Sequence, residues 1–429
     1  MKLSDLALVP MRWQAVRTPL IRLLVMRERA RSGVALDPFS PALRADPYPV
    51  LRAIREQDPV HWMETARGWL VTRYDDVSGL LRDPRISADR TPMSVDASWR
   101  RGSEIQRWLE SSLLGLDPPE HTRLRKLVNR AFTPRVVEPM RDRIAEITDE
   151  LLDARAADGR MDVIADLAEP LPVRVIADLL GVPREDQPLF ARWSSALGAA
   201  FDIAFEKATI DAADRAVREM RAYFRPLLDA RRREPREDLL TALVQAEEEG
   251  DTLSEDELYS FCIILLAAGH ETTMNFIGNG VLALLEHREQ LDRLSARPEL
   301  VDGAVEEVLR YDAPPQATTR RAVEAFELGG KRIRAGDLLV LSIAAANRDP
   351  ARFDHPDELD ITRTDNRHLT FALGPHFCVG APLARLEGSI VFTRLLQRWP
   401  DIRLDPDRPH ERRATGTVRG LRSLPVRLT

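Results

Sequence analysis

Cysteine is nearly absent from this sequence of 429 residues, with Cys262 and Cys378 as the only two. Two sulfurs build neither a disulfide framework nor a four-cysteine zinc site, and such sparing use suits a reducing cytoplasm. No apolar run reaches the roughly eighteen residues that a membrane span needs. A basic excess is missing too: 62 Lys and Arg stand against 68 Asp and Glu, a net charge of −6, which argues against a nucleic-acid binder. Internal repeats, low-complexity tracts and Gly/Ser linkers are lacking, so no domain boundary is expected after about residue 40. No flavin or nicotinamide fingerprint and no iron–sulfur cysteine set is found. What the chain does have is 44% hydrophobic and 30% charged residues, enough for a large core and a solvated surface, which excludes disorder and fibrous repeats.

Charge is unevenly spread. Residues 1–36 hold Lys2, Arg12, Arg17, Arg22, Arg27, Arg29 and Arg31 against Asp5 and Glu28, a net +5 that leaves −11 on the remainder. With Leu20, Ile21, Leu23, Leu24 and Val25 nearby, this arm has the composition of a segment that lies on an anionic membrane. Against that, Arg12, Arg17, Arg22 and Arg27 recur every five residues, which scatters them around a helix, and Pro19 interrupts it. No small-residue cleavage site follows a clean apolar core, so it does not read as a signal peptide. The expectation is a basic extension over 1–36, packed on the surface of a single domain over 37–429.

Between residues 45 and 315 the apolar periodicity is mostly helical, with clear helices predicted at 134–155, 211–233 and 298–310. From about residue 320 short strand-like runs appear between turn formers, at 337–343 and 423–428. The fold class expected is mainly α, one large domain with small peripheral β-sheets. Its longest helix opens at Ser254-Glu255-Asp256-Glu257, a capping box, and runs to about Glu286. The stretch from Phe261 to Ala268 is apolar nearly all round, which implies burial. Gly269-His270-Glu271-Thr272-Thr273 then interrupts it with a glycine and polar groups, either as a polar seam between helices or as a place where something flat approaches the backbone.

The two cysteines differ in setting. Cys262 sits in the apolar helical run and reads as a small core residue. Cys378 lies in Phe371-Ala372-Leu373-Gly374-Pro375-His376-Phe377-Cys378-Val379-Gly380, a glycine-flanked loop leading into a helix from about Ala381. A sulfur near a helix N-terminus is favoured as a thiolate, and a thiolate is a nucleophile or a metal ligand. His376 is two residues away, but no acidic partner completes a Cys–His pair and no further zinc ligands are in place. One thiolate suffices for haem, where the porphyrin supplies the other donors.

In these motifs and their order, residues 40–429 resemble the cytochrome P450 family, of the soluble bacterial type. The segment 371–380 is similar to the haem-binding signature, with Cys378 at the axial position, and Ala268 to Thr273 is similar to the oxygen-binding segment of the long helix over the haem. Glu307-Val308-Leu309-Arg310 matches the Glu-x-x-Arg helix, with Arg363 as the expected third member of its ion cluster. Asn347-Arg348-Asp349-Pro350 and Asp117-Pro118-Pro119-Glu120-His121-Thr122-Arg123-Leu124-Arg125 are also typical. Ala372 stands where the family usually has glycine, and residues 1–36 exceed the usual start.

The resemblance implies a monooxygenase that takes O2 and electrons from separate partners, a ferredoxin or flavodoxin with its reductase, and oxidises a hydrophobic small molecule. It implies haem b held by Cys378 as iron ligand, by Phe371, Gly374 and Gly380 of the loop, by Ala268, and by His121, Arg125, Arg320 and His376 toward the propionates. Thr272 and Glu271 would be the catalytic pair, bonding oxygen and relaying protons, with a local widening of the helix freeing Thr272 from the Ala268 carbonyl. His270 is expected to be packing. Arg123, Lys126 and Arg130 form either a solvated face or a dock for an acidic ferredoxin. Substrate contacts are expected around 85–110 (Met93, Trp99, Trp108), 186–210 (Phe190, Trp193, Phe201, Phe205), Pro315 to Thr318 and Thr415 to Gly420, where each aromatic is either a substrate contact or packing. A haem-thiolate protein driven by peroxide or catalysing another reaction, and a haem-free cysteine hydrolase or transferase, are the competing readings.

Overall fold

The computed structural model describes all residues except 1–9, 39, 89–101, 201–206, 249, 414–416 and 429, and not the side chains of 10–18, 134 and 248. Helix accounts for 58% of residues and strand for 12%, so the mainly α class with small sheets holds. The helices that matter here are α1 (Pro10–Ser32), α2 (Glu104–Ser111), α3 (Glu120–Ala131), α4 (Met140–Ala156), α5 (Pro170–Leu179), α6 (Gln187–Ala199), α7 (Lys207–Arg233), α8 (Glu255–Glu286), α9 (Val301–Tyr311) and α10 (Ala381–Arg398). The predicted helix over 134–155 divides at Pro139, leaving a single turn at Pro134–Val137 ahead of α4. Pro19 does not interrupt α1, which passes through it without the one hydrogen bond that proline cannot donate.

Helix α8 is the axle. Ser254 Oγ accepts from the Glu257 N–H at 3.3 Å and the Glu257 carboxylate accepts from the Ser254 N–H at 2.8 Å, so the capping box forms as the sequence predicts. Its 32 residues give about 48 Å of helix, buried over most of its length. Helices α5, α6, α7, α9 and α10 pack around it, and their apolar faces join α4 in one continuous core. Gly280 and Gly388 mark the closest approaches. A Cβ on Gly280 would lie 2.5 Å from Phe392, and one on Gly388 would lie 2.4 Å from Phe276.

The main sheet is peripheral. Strands β1 (Val60–Met63), β2 (Gly68–Val71), β3 (Ile86–Ser87), β4 (Ala317–Ala322) and β5 (Leu338–Ser342) lie in the order β1-β2-β5-β4-β3. Only β2 and β5 run parallel, with Leu70 opposite Val340 and Val340 opposite Thr319 of β4. Near the C-terminus β6 (Glu411–Arg412) and β7 (Leu421–Ser423) form a hairpin, and Pro425–Arg427 pairs with Arg160–Asp162, close to the strand predicted at 423–428.

The Glu-x-x-Arg helix is α9. Arg310 donates to both Glu307 oxygens at 2.8 and 2.7 Å, and Arg363 Nε reaches the same carboxylate at 3.2 Å, so the expected ion cluster forms. Arg310 also donates to the carbonyls of Asn347, Pro356 and Glu358. Asn347 in turn holds the Leu369 N–H at 2.7 Å and the Thr370 hydroxyl at 2.9 Å, immediately before the cysteine loop. Arg348 lies over the rings of Tyr48 and Tyr311, and Asp349 caps the Tyr74 N–H. The Asn347-to-Asp349 motif is therefore a structural hub.

Candidate active site

A helix this deeply buried has few reasons to show surface. Leu265, Ala268, Gly269 and Thr272 are nonetheless open to different degrees, and they fall at i, i+3, i+4 and i+7, one face of α8. That face borders a groove inside the fold. Ala268 is its most open residue. Gly269 does something other than admit a flat group: a Cβ there would lie 2.8 Å from Ile176, so its bareness seats α5 against α8. The segment is regular α-helix, and Thr272 Oγ1 donates to the Ala268 carbonyl at 2.6 Å. The expected local widening is not there, because the hydroxyl takes the ordinary bond of a helical threonine.

Glu271 turns off this face toward Arg413, the residue after β6, with an ion pair at 2.8 Å. Gly198 in α6 leaves the space that the carboxylate occupies, since a Cβ there would lie 2.5 Å from Glu271 Oε2. Neither partner is legible in sequence; Arg413 is 142 positions away and carries no motif.

His270 is packing, as expected, and fully engaged. Its Nδ1 lies 2.6 Å from the Ser194 hydroxyl and its Nε2 lies 3.0 Å from the Glu169 carbonyl, which ties α6 and the start of α5 to α8. Burial, with Arg413 nearby, lowers its pKa to about 4. The native state then takes up the proton later than the unfolded chain does. Stability is full above about pH 6.5 and falls by about 3 kcal/mol as pH drops toward 4. His270→Gln is expected to flatten that slope, measured as urea midpoints at pH 7 and pH 5; an unchanged difference between the two would refute the assignment.

The cysteine loop is closed by its own backbone. Cys378 N–H donates to the Phe371 carbonyl at 2.9 Å, and Phe371 lies under the Arg385 guanidinium at 4.6 Å. Gly374 has φ +69° and packs its backbone against Leu81 and Arg82, so its freedom serves the turn. Ala372 also adopts a left-handed φ, +56°, which costs roughly 1–2 kcal/mol for a residue with a side chain. This explains why glycine is the usual occupant. Gly380 faces the sulfur, with a Cβ position 3.9 Å from Cys378 Sγ.

Cys378 is enclosed by the fold yet exposed, because its surface borders open space within it. Burial pushes its thiol up, against the Gly380 N–H, Arg125, the Ala381 N–H and Arg385, all of which favour the anion. The thiol alone is thus a poor nucleophile near neutral pH, and the surrounding donors suit a sulfur whose charge a cation completes. Cys262 is fully buried and pushed far up by burial, as a core residue should be.

A ring of basic side chains stands nearby. The rings of His121 and His376 meet with centroids 4.2 Å apart, tilted 44° to each other. His121 is held below its ordinary pKa by burial, by Arg125 and by Arg320, against Asp117. Its Nδ1 is buried without a hydrogen-bond partner among the described residues. Arg125 meets Asn129 at 3.0 Å and, among the described residues, no carboxylate. Arg320 is buried on β4 and donates to Thr318 Oγ1 and the Thr319 carbonyl. Converging donors with an orphaned imidazole fit a bound group that brings its own carboxylates. Asp117, accepting from the Ala88 N–H at 2.8 Å and from the Ser87 hydroxyl, fixes α3 against β3 and so aims His121 and Arg125.

Two expectations need correction. Arg123 is ion-paired with Asp251 at 3.0 Å and with Glu257, so it ties α3 to the start of α8 and breaks the basic stripe; Lys126 and Arg130 stay exposed. Trp108, Phe190 and Trp193 are core. Trp108 Nε1 donates to the Ser260 carbonyl at 3.2 Å, Phe190 packs edge-on to Tyr223 and Phe224, and Trp193 donates to Glu219 at 2.7 Å. Met93, Trp99, Phe201, Phe205 and Thr415 lie outside the described residues. Pro315 bridges Val418, and Arg419 N–H donates to the Pro314 carbonyl at 2.7 Å, so two of the expected substrate segments do meet.

An open cysteine backed by amide donors, a ring of basic side chains with an unsatisfied imidazole and a long helix with one open face fit the haem-thiolate class of protein. The chain matches the family model described as Cytochrome P450 over residues 173–420. It is 41% identical over 403 residues to "Polyketide biosynthesis cytochrome P450 PksS" of Bacillus subtilis, covering 91% of this chain and 98% of that protein. To "Cytochrome P450 monooxygenase PikC" of Streptomyces venezuelae it is 45% identical over 396 residues, 89% of this chain and 91% of the other. The solved structure of P450BioI in complex with hexadec-9Z-enoic acid ligated acyl carrier protein superposes with a TM-score of 0.85 at 36% identity, covering 90% of this chain and 99% of that one. This protein belongs to the cytochrome P450 family, and it is a monooxygenase, an oxidoreductase that incorporates oxygen and has haem as its family's cofactor.

Proposed function

We propose that the chain uses haem b to insert one oxygen atom into an apolar small molecule, with Cys378 as the iron ligand. The observation that carries this is Cys378 itself, open to the interior of the fold and backed by the Gly380 and Ala381 N–H groups. When bound, the haem supplies O2 activation and transfer of one oxygen to a C–H or C=C bond, which a thiolate ligand favours by donating electron density. The cysteine count supports the b type over the thioether-linked c type: with Cys262 buried in α8 and Cys378 proposed on iron, none remains for thioether attachment. His121, Arg125, Arg320 and His376 would hold the propionates, Phe371, Gly374 and Gly380 the loop around the sulfur, and Ala268 the surface against the ring.

Thr272 would carry a proton at Oγ1 on the open face of α8, and Glu271 would resupply it from the Arg413 side. Thr272→Ala is expected to keep haem and reduction rate while most electrons end as peroxide, a several-fold fall in product per NAD(P)H, read by peroxide assay. Unchanged coupling would remove Thr272 from the relay.

Electrons would come from a separate ferredoxin or flavodoxin with its reductase in the cytoplasm, since no redox fingerprint is carried in the sequence. The substrate is proposed to be a hydrophobic polyketide or acyl chain, the chemistry named for two of its relatives. Purified protein should be red, release its haem to acidic acetone, give a red-shifted ferrous–CO Soret band, and move from low to high spin with such compounds. A colourless preparation that stays colourless with added haem would overturn the assignment.

A further inference from the structure

We infer that α1 is a membrane-surface anchor that seats the enzyme on bilayers of anionic headgroup. The rotation of this helix is fixed near its end. Glu28 is 1% exposed and accepts from the Leu36 N–H at 2.8 Å, the Glu64 N–H at 2.9 Å and His61 Nε2 at 2.9 Å. His61 also meets Asp58 at 3.1 Å, and despite burial these acids raise its pKa.

With Glu28 inward, the wheel sorts the rest. Leu20, Ile21, Leu24, Val25 and Ser32 turn toward the body of the protein and are partly covered. At about 100° per residue, Pro19, Leu23, Met26 and Ala30 fall within roughly 60° of one another on the opposite side. All four are exposed, Leu23 by 63% and Met26 by 66%. The other exposed large hydrophobics among the described residues are less open, Val323 at 57% and Phe377 at 39%. Arginines flank the strip on both sides, Arg22 and Arg29 on one, Arg27 and Arg31 on the other. Arg22 and Arg27, two members of the five-residue recurrence, thus stand with Arg29 and Arg31 at the edges of an apolar strip once the inward face is occupied.

An apolar strip between two arginine rows fits the headgroup boundary of a bilayer, where alkyl groups enter the acyl region and guanidinium stems reach up to phosphates. Charge selects this occupant over a second copy of the strip, which would bring arginine rows together. Arg22 and Arg29 have no carboxylate partner among the described residues, while Arg27 and Arg31 share Glu64 at 3.8 and 3.4 Å. The body of the protein carries −11 and would be repelled by an anionic surface, so attraction resides in the arm.

The test uses the haem-loaded full chain in flotation with phosphatidylcholine vesicles, with and without phosphatidylglycerol. Binding is expected to the anionic vesicles, weakened by salt, and reduced about tenfold or more in Leu23→Glu/Met26→Glu and in Arg22→Glu/Arg29→Glu. Both variants change outward side chains, so their Soret spectra and melting should match the parent. Equal binding by parent and variants, or no retention of the parent, would overturn the inference. So would concentration-dependent self-association in sedimentation that the same variants abolish, which would make the strip a contact between copies.

Discussion

Cys378→Ala is expected to yield a folded protein that gives no red-shifted ferrous–CO band and no measurable turnover. The fold should survive because the Cys378 side chain borders open space instead of filling the core, and because the loop is closed by its backbone, Cys378 N–H to Phe371 carbonyl at 2.9 Å. What is lost is the proposed iron ligand, and the other cysteine, Cys262, is fully buried in α8 and cannot replace it. Cys378→His makes the sharper test. The ring of basic side chains is untouched and an imidazole is itself an iron ligand, so haem binding should persist with an unshifted ferrous–CO band, while oxygen insertion fails for want of thiolate electron density. A shifted band in either variant would place the ligand elsewhere.

How much of this was readable without coordinates follows the reach of each interaction along the chain. The capping box at Ser254 and the Glu307–Arg310 pair are i, i+3 signals, and both form as the spacing dictates. His121 and Arg125 share a face of α3 for the same reason. Contacts between distant segments left no local trace. Arg413 meets Glu271, Gly198 makes room for that carboxylate, and Glu28 clamps His61 across 33 residues, each specified only by tertiary packing. Arg385, whose guanidinium covers Phe371, also holds Glu306 at 2.6 Å. Although burial pushes Glu306 up, His368 and Arg385 carry its pKa down to about 2, a network that looks in sequence like ordinary surface charge. Aromatic residues misled in the other direction. Trp108, Phe190 and Trp193 lie in segments where a substrate is expected, yet an indole or phenyl ring gains as much from a core as from a pocket.

Glu307→Ala is expected to be the most destabilising single change outside the cysteine loop. Its carboxylate is buried and accepts from Arg310, from Arg363, from the Asp360 N–H at 2.9 Å and from Asn366 Nδ2 at 3.0 Å. Removing it leaves the Arg310 guanidinium buried beside alanine, a loss of about 3–5 kcal/mol. Domains have about 5–15 kcal/mol in all, so the variant should be largely unfolded or haem-poor at 37 °C. The damage should spread to the cysteine loop, because Arg310 also holds the Asn347 carbonyl and Asn347 holds Leu369 and Thr370. Glu307→Gln, which keeps acceptors at one oxygen, should lose less. Glu307→Leu/Arg310→Met separates the two contributions: if the penalty of the single change is mainly an unpaired buried charge, the double variant recovers a large part of it in urea unfolding. Single and double losses that simply add would show that the cluster stabilises through packing, and a Glu307→Ala loss below about 1 kcal/mol would remove it from the framework of the site.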